Sequence, residues 1–368
     1  MSKKYQICNY CIMDTSDKDI IFNDKGRCNH CIEAEKLIDK TKNRNVELNK
    51  LIAQIKKEEK NKKYDCIMGI SGGIDSAYVA HLANKLGLRI LAVHVDAGWN
   101  TEIAEKNISN LCKKLNIDLK RITIDWDTMK ELQRAYMFSG LANLDVPQDH
   151  VFLAGVYKYA KQYNIKYMLN GSNVATEGIL PKSWGYAAID YKSIQSVYKN
   201  NGRGKSLDKY PHFGILEYMF LQQKIKRINI LNYIEYSKKE AMKTLKEEFD
   251  WEYYGGKHYE SILTRFLQTY YLPKKFGYDK KRAHLSSLVT NKEITREEAL
   301  KALNDKTVYS DEQMLKDRDY ILNKLEITLK EWENIMNSKN KTENDYESSK
   351  FLLSLCLKAK SIIRRIKK

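Results

Sequence analysis

A six-residue segment, Ser71-Gly72-Gly73-Ile74-Asp75-Ser76, constrains the fold of this chain more than any other stretch. It follows the apolar run 64–70, which is typical of a buried strand, and precedes residues 77–86, whose apolar positions recur at helical spacing. A strand, a glycine turn and a helix start present free backbone N–H groups and the positive end of a helix dipole to an anion. The glycines let a ligand approach the backbone closely. The segment therefore predicts a phosphate-binding loop in an α/β fold.

Within this loop, Ser71, Gly72, Gly73 and Ser76 are the expected nucleotide contacts, and Asp75 is placed in the first helical turn, where it can hold magnesium. The loop is not a Walker A motif, because no lysine precedes its second serine. It resembles the PP-loop of ATP pyrophosphatases, which attack the α-phosphate of ATP and release pyrophosphate. An ordinary glycine-rich turn is the alternative.

Two cysteine pairs, Cys8-x-x-Cys11 and Cys28-x-x-Cys31, lie near the N-terminus. Their spacing is typical of a structural zinc site with four thiolates, which would stabilise a segment too short to fold alone. Disulfides and an iron–sulfur cluster are the alternatives. The other cysteines fall in apolar stretches and are expected in the core: Cys66, Cys112 and Cys356.

Strand and helix patterns alternate beyond the loop, with further strands expected at 88–95, 119–124, 165–169 and 227–233. Such alternation predicts a doubly wound parallel sheet. Capping boxes at Thr295 and Thr328 predict helices towards the C-terminus. The expected α/β architecture is a zinc-ribbon-like module at 1–35, a linking helix at 36–63, a nucleotide-binding domain at 64–236 and a mostly α-helical region at 237–368.

Polar residues follow two of these strands. Asp96 ends the second strand and is a candidate to accept from a nucleoside, with a turn-forming aspartate as the alternative. Gly171 and Ser172 follow the strand 165–169 and are candidate contacts to phosphate or adenylate. The segment 170–177 also resembles a Gly-Thr/Ser-x₄-Glu segment of NAD synthetases, which implies that Glu177 joins Asp75 on magnesium.

A basic region follows the sheet. Lys238 resembles the lysine of a turn in PP-loop amidotransferases and is a candidate catalytic residue that steadies pyrophosphate; a solvated lysine is the alternative. The segment 253–284 interleaves basic and aromatic residues, a chemistry suited to an anionic sugar. Lys257 is a candidate for both catalysis and substrate binding. The candidate substrate contacts are Lys257, His258, Arg265, Lys275, Arg282 and His284. The polar stretch 144–150 is a further loop candidate.

The chain has a formal net charge of +17, which favours an acidic partner. The excess lies largely in charge runs such as the basic tail 358–368, and such runs are usually solvated, so nucleic acid is not the expected partner. No apolar run is long enough to span a membrane, and no signal-peptide pattern opens the sequence. A cytoplasmic protein without membrane contact is expected.

Taken together, these motifs resemble the N-acetyl sugar amidotransferases of bacterial surface-glycan synthesis. The resemblance rests on the cysteine pairs, the phosphate loop, the segments 254–258 and 276–284, and Thr295 to Leu300. It implies that ATP and magnesium convert the acetamido group of a sugar, such as a pseudaminic or legionaminic acid or a nucleotide-linked diacetamido uronate, into an acetamidino group. Such sugars occur in lipopolysaccharide and flagellin glycans.

The source of ammonia follows from what the sequence lacks. Position 2 is serine, so the cysteine nucleophile of an N-terminal glutaminase is missing. Ammonia is expected from solution or from a separate glutaminase subunit, with or without a channel-forming, cyclase-like partner. Two other functions are alternatives: a tRNA-modifying PP-loop enzyme of the thiolase type, and a non-catalytic scaffold that keeps a nucleotide site.

Overall fold

The computed structural model describes residues 4–355, so Cys356 and the basic tail 358–368 lie outside the described residues. One sheet of five parallel strands forms its centre, in the order β3-β2-β1-β4-β5. The strands are β1 (Cys66–Gly69), β2 (Ile90–Asp96), β3 (Asp118–Thr123), β4 (Tyr167–Asn170) and β5 (Lys226–Asn229). The predicted doubly wound α/β fold is confirmed. The strand order reverses beside β1, the position at which such sheets bind ligands.

The helices before the last strand are α1 (Asn29–Asp39), α2 (Asn45–Glu59), α3 (Ile74–Lys85), α4 (Glu102–Lys114), α5 (Trp126–Met137), α6 (Val146–Gln162), α7 (Val174–Glu177), α8 (Tyr191–Asn201) and α9 (Ile215–Lys224). The segment 36–63 contains the end of α1 and all of α2, so the expectation of one linking helix is wrong. The two helices are separated by a turn in which Asn43 has a φ of 56°.

The C-terminal region is helical, as predicted. Its helices are α10 (Lys238–Phe249), α11 (Ile262–Phe266), α12 (Lys280–Thr290), α13 (Arg296–Asn304), α14 (Asp311–Lys324) and α15 (Leu329–Asn337). Short 3₁₀ turns cover Lys182–Trp184, Ile230–Tyr233 and Glu343–Asp345, and a π-helical segment covers Leu267–Phe276. Of the fifth strand predicted at 227–233, only the first half is a strand, because the second half forms one of these 3₁₀ turns. Both predicted capping boxes form, at Thr295 and Thr328.

The two faces of the sheet bury separate cores, because successive strand residues point to opposite sides. Ile67 joins one core with α5, α6 and α8, whereas Cys66 and Met68 join the other with α2, α3 and α10. Cys112 lies in the second core, so Cys66 and Cys112 are core residues as expected.

The cysteine module packs against the C-terminal helices. The Arg296 guanidinium donates to the carbonyls of Cys8 and Cys11, both at 3.1 Å, and the Ile12 N–H donates to the Ser286 hydroxyl at 3.3 Å. These contacts join the cysteine module to α12 and α13. None of the helices within residues 4–355 combines the length and the apolar character that a membrane crossing requires.

Candidate active site

The phosphate loop connects β1 to α3, and its conformation requires glycine. Gly72 has a φ of 80°, and a Cβ there would lie 2.7 Å from the Ala104 carbonyl oxygen. The Trp251 indole N–H donates to the Gly72 carbonyl at 3.0 Å and holds the loop from the other side. The loop is therefore fixed by packing on α4 and on the C-terminal region.

Side-chain hydroxyls accept hydrogen bonds from three backbone N–H groups of this loop. The Gly73 N–H donates to the Ser71 hydroxyl at 3.2 Å, and the Ile74 N–H donates to the Tyr254 hydroxyl at 3.1 Å. The Ser71 N–H faces the Ser76 hydroxyl at 3.4 Å. Each of these acceptors is a single oxygen that a phosphate oxygen can replace, so the loop is built as an anion site.

Asp75, Lys257 and Glu177 form a partly buried ion cluster beside the loop. The Lys257 ammonium lies 2.9 Å from Asp75 Oδ2 and 2.9 Å from Glu177 Oε1. The Tyr236 hydroxyl donates to Asp75 Oδ1 at 2.6 Å, and the Thr176 hydroxyl accepts from the same ammonium at 2.9 Å. Asp75 and Glu177 therefore share one partner, Lys257, which was predicted for catalysis and for the sugar. Their role as a magnesium pair, which the resemblance implied, stays a prediction.

This cluster determines the charge states of its members. Burial by itself would raise the pKa of Asp75, but the Lys257 ammonium and the Tyr236 hydroxyl outweigh it and hold that pKa below its usual value. Burial would lower the pKa of Lys257, but Asp75 and Glu177 outweigh it and raise that pKa. Lys238 contacts neither acid, and burial together with Lys257 lowers its pKa. Asp75 and Lys257 are therefore both charged at neutral pH.

A cavity of about 560 Å³ opens over the loop. Of the residues predicted for ATP or catalysis, it is lined by Ser71, Gly73, Asp75, Ser76, Gly171, Ser172, Glu177, Lys238 and Lys257. A Cβ on Gly171 would lie 3.2 Å from the backbone N of Ser76, so the loop after β4 lies directly against the phosphate loop. His258 and His284 also line this cavity. The reversal of strand order brings these distant segments together.

A second chamber of about 460 Å³ adjoins the first. Ser71, Glu177, His258, Glu260 and His284 line both, so the two are continuous at the phosphate loop. Four polar residues line the second chamber but not the first. They come from the start of α6, from α11 and from α12: Asp145, Gln148, Thr264 and Lys280.

The second chamber is rich in buried titratable groups. Burial, together with the neighbouring Asp145, raises the pKa of Asp149 to about 7. Burial also raises the pKa of Asp145 and lowers that of Lys280. His284 is buried near Lys257, and its pKa is held well below the usual value. Such shifts are typical of functional sites.

Four predicted contacts lie elsewhere. Asp96 accepts from the Gly98 N–H at 2.7 Å, which is the turn-forming role. Arg265 pairs with Asp317 at 2.7 Å, Lys275 donates to the Ile335 carbonyl at 2.8 Å, and Arg282 donates to the Ile12 carbonyl at 2.8 Å. None of the four lines either cavity. The three cationic side chains among them hold the C-terminal helices and the cysteine module in place.

Sequence reasoning missed several contacts that only folding creates. Tyr236 lies outside every predicted site segment, whereas Thr176, Tyr254, Glu260 and Lys280 lie within such segments but were not singled out. One signal was available for the chamber: the acids Asp145 and Asp149 recur at i, i+4 in the stretch 144–150. That stretch is the start of α6 and not a loop, and its Pro147 occupies the first turn, which tolerates proline.

The cysteine pairs form one cluster. Cys8 Sγ lies 3.8 Å from Cys31 Sγ, and Cys11 Sγ lies 3.6 Å from Cys28 Sγ. All four sulfurs lie within 4.8 Å of one another and are buried. None of the four is in a disulfide. A four-sulfur cluster of this size suits a tetrahedral metal ion.

Two families match parts of this sequence. Residues 46–211 match the NAD synthase family, and residues 260–360 match the family described as LPS biosynthesis protein WbpG-like, C-terminal domain. The first match covers the phosphate loop and the strands β1 to β4. The second covers α11, α12 and Lys280, which form one wall of the second chamber.

Curated relatives agree with the first match. The chain is 30% identical over 163 residues to an NH(3)-dependent NAD(+) synthetase of Thermococcus sibiricus, covering 40% of this chain and 57% of that protein. It is 31% identical over 97 residues to a 7-cyano-7-deazaguanine synthase of Campylobacter jejuni subsp. doylei, covering 26% of this chain and 41% of that protein. The chain thus spans about half the length of these relatives or less.

Among solved structures, an NMN synthetase from Francisella tularensis overlaps 57% of this chain and 93% of its own, with a TM-score of 0.31 and 19% identity. An overlap this loose does not bear on function. The phosphate loop lies at the reversal of a parallel sheet, within the region that matches the NAD synthase family. The chain joins this region to one that matches a WbpG-like C-terminal domain, and it resembles the PP-loop ATP pyrophosphatases.

Proposed function

We propose that the protein is an ATP-dependent amidotransferase that converts the acetamido group of an N-acetylated bacterial sugar into an acetamidino group. The observation that carries this proposal is the continuity of the two cavities at Ser71 and Glu177. A phosphate loop that opens into a second, polar chamber can bring an acceptor to the α-phosphate. The WbpG-like region, which forms a wall of that chamber, supports a sugar of surface-glycan synthesis as the acceptor.

The reaction needs activation, because an amide carbon is a poor electrophile. The amide oxygen attacks the α-phosphorus of ATP, the new O–P bond forms, and the bond to the bridging oxygen breaks, so that pyrophosphate leaves. Ammonia then forms a C–N bond, the C–O bond breaks, and AMP leaves with its electron pair. The N–H groups of Ser71, Gly73 and Ile74, which donate to side-chain hydroxyls, would stabilise the charge that develops on a bound phosphate.

Asp75 and Glu177 fit a magnesium ion, because both carboxylates contact one point, at present filled by the Lys257 ammonium. When bound, magnesium would neutralise charge on the leaving pyrophosphate. Lys257 would then be free to move towards phosphate. Lys238, whose ammonium has no acid partner within the described part of the chain, lines the same cavity and is placed to steady pyrophosphate.

The cysteine cluster fits zinc, because its four sulfurs already converge and no position is left open for a substrate. Its proposed role is structural. Its carbonyls bind Arg296, and its residues pack with Ala283 of α12, the helix that carries Lys280 and His284. The metal would therefore stabilise one wall of the acceptor chamber.

The proposed substrates are an N-acetylated nonulosonic acid or a nucleotide-linked diacetamido sugar, for lipopolysaccharide, other surface polysaccharide or flagellin glycan. The proposed ammonia source is solution or a separate glutaminase subunit, with or without a cyclase-like channel. We propose that the reaction is cytoplasmic, where ATP is available.

The test is to incubate the protein with ATP, magnesium and isotopically labelled ammonium together with each class of sugar. Sugar-dependent formation of AMP and pyrophosphate is expected, with the label in the sugar product by mass spectrometry. The Asp75→Asn variant is the negative control. Sulfur transfer to tRNA without sugar-dependent AMP would refute the proposal and favour the thiolase type.

A further inference from the structure

The second chamber is lined by a buried lysine, Lys280. The Lys280 side chain is only 7% exposed, and within residues 4–355 its ammonium has no hydrogen bond and no carboxylate within ion-pair distance. The ammonium lies 5.4 Å from the centre of the Tyr186 ring and lines the chamber. A buried, unpaired cation is costly, so this one is placed for a ligand that accepts a hydrogen bond.

The two acids of the chamber are each only half satisfied. Asp145 is 5% exposed, and its Oδ1 accepts from Gln148 at 2.6 Å and from Thr264 at 3.0 Å. Asp149 accepts from the Tyr186 hydroxyl through Oδ2. Among the described residues, no donor reaches the second oxygen of either carboxyl. Two acceptor oxygens are therefore left for a ligand that offers N–H groups.

The charges favour a ligand that becomes positive. Asp145, Asp149 and Glu260 line the chamber, whereas Lys280 is its one lysine among the residues described. A carboxylate or phosphate would meet a local excess of acids. An amidinium group is planar, cationic and carries several N–H donors, so it matches two carboxyl oxygens as a guanidinium does.

We propose that this acidic chamber is the acceptor site, in which Lys280 donates to a hydroxyl of the sugar while Asp145 and Asp149 face its acetamido group and neutralise the amidinium that forms. This inference rests on the proposed function. When ammonia attacks, one proton must leave the new nitrogen as the C–O bond breaks and AMP departs. Asp149, which lines both cavities, accepts that proton. Asp145 then supplies the charge that neutralises the amidinium until Asp149 releases the proton to water. Any carboxylate or phosphate of the sugar lies outside this chamber.

The acetamidinium ion is a probe that requires neither ATP nor the true sugar. Its methyl group is observed by saturation-transfer NMR with the full chain at pH 8, beside acetamide and acetate. Acetamidinium is expected to bind, and acetate is not. Because a charge-assisted hydrogen bond is lost, Asp149→Asn should weaken binding about ten- to a hundredfold. The matched control is Asp127→Asn, since Asp127 has a side chain that is 81% exposed and does not line the chamber.

Equal binding of acetate, or unchanged acetamidinium binding in both Asp149→Asn and Asp145→Asn, would overturn the proposal. Circular dichroism of the variants separates loss of binding from loss of fold. The proposed function fails separately: acetamidinium binding without sugar-dependent AMP would keep the cation site and refute the amidotransferase. AMP formation without acetamidinium binding would do the reverse.

Discussion

Replacement of Lys257 by methionine is the most informative perturbation of this structure. The ammonium bridges Asp75 and Glu177 at 2.9 Å on each side, and its side chain is 12% exposed. Lys257→Met keeps the approximate length of the side chain and removes only the charge and its hydrogen bonds. Two acids then face each other without a cation.

The expected loss of stability is set by burial. Removal of one partner from a buried ion pair costs about 3–5 kcal/mol. The side chains of Asp75 and Glu177 are 22% and 31% exposed, so water compensates part of this cost. We expect the free energy of unfolding to fall by about 2–3 kcal/mol at pH 7, which is below the range for a fully buried pair.

The pH dependence has a defined sign. In the wild type the folded pKa of Asp75 lies below its unfolded value, so the contribution of Asp75 is present above the unfolded pKa and is lost as pH falls through the folded pKa. Without Lys257, burial prevails and raises that folded pKa. The variant is then destabilised at pH values above the raised pKa, and this destabilisation disappears as Asp75 is protonated. The deficit should be largest at neutral pH and shrink towards about pH 4.

Urea unfolding followed by tryptophan fluorescence measures this deficit, because Trp251 donates to the Gly72 carbonyl of the loop. Lys306→Met is the matched control: Lys306 also lies 2.9 Å from an acid, Asp311, but both side chains are 74% exposed. That exposed pair should contribute less than about 1 kcal/mol. Equal deficits in the two variants, or a deficit that grows towards pH 4, would refute the argument. Lys257→Met should also reduce the rate of the ATP-dependent step more than it reduces the affinity for the sugar.

Three further outcomes are expected. Asp75→Asn should keep the circular dichroism of the wild type and abolish pyrophosphate release, and unchanged turnover would remove Asp75 from the metal site. Gly72→Ala should lower the free energy of unfolding by about 2–4 kcal/mol and abolish ATP binding in calorimetry, because its Cβ would lie 2.7 Å from the Ala104 carbonyl oxygen at a φ of 80°; a stable variant that binds ATP would contradict this. Elemental analysis should find one zinc per chain, lost in Cys11→Ser, with sugar-dependent turnover falling more than ATP affinity because the module packs on α12; iron or no metal in the wild type would refute the assignment.

Local sequence was sufficient for features whose residues are close along the chain. The phosphate loop, the cysteine pairs and the capping boxes each depend on spacings of a few residues, and each forms as predicted. The alternation of strand and helix patterns was sufficient to predict the parallel sheet, because side-chain periodicity indicates which faces are buried. Glu177 came from the resemblance to NAD synthetases, and it contacts the same Lys257 ammonium as Asp75, while its role on magnesium stays a prediction.

Only the tertiary structure decided how the basic residues of 253–284 are used. Their types alone suggested one anionic sugar site, but a charge is used where folding places a partner. Lys257 reaches Asp75, while Arg265 is paired with Asp317. Lys280, which lies in the same segment but was not singled out, forms no ion pair within residues 4–355 and lies near Asp145. Since these partners lie from about fifty to almost two hundred residues apart along the chain, no local pattern records them. The acceptor chamber exists only once the sheet and the C-terminal helices have packed.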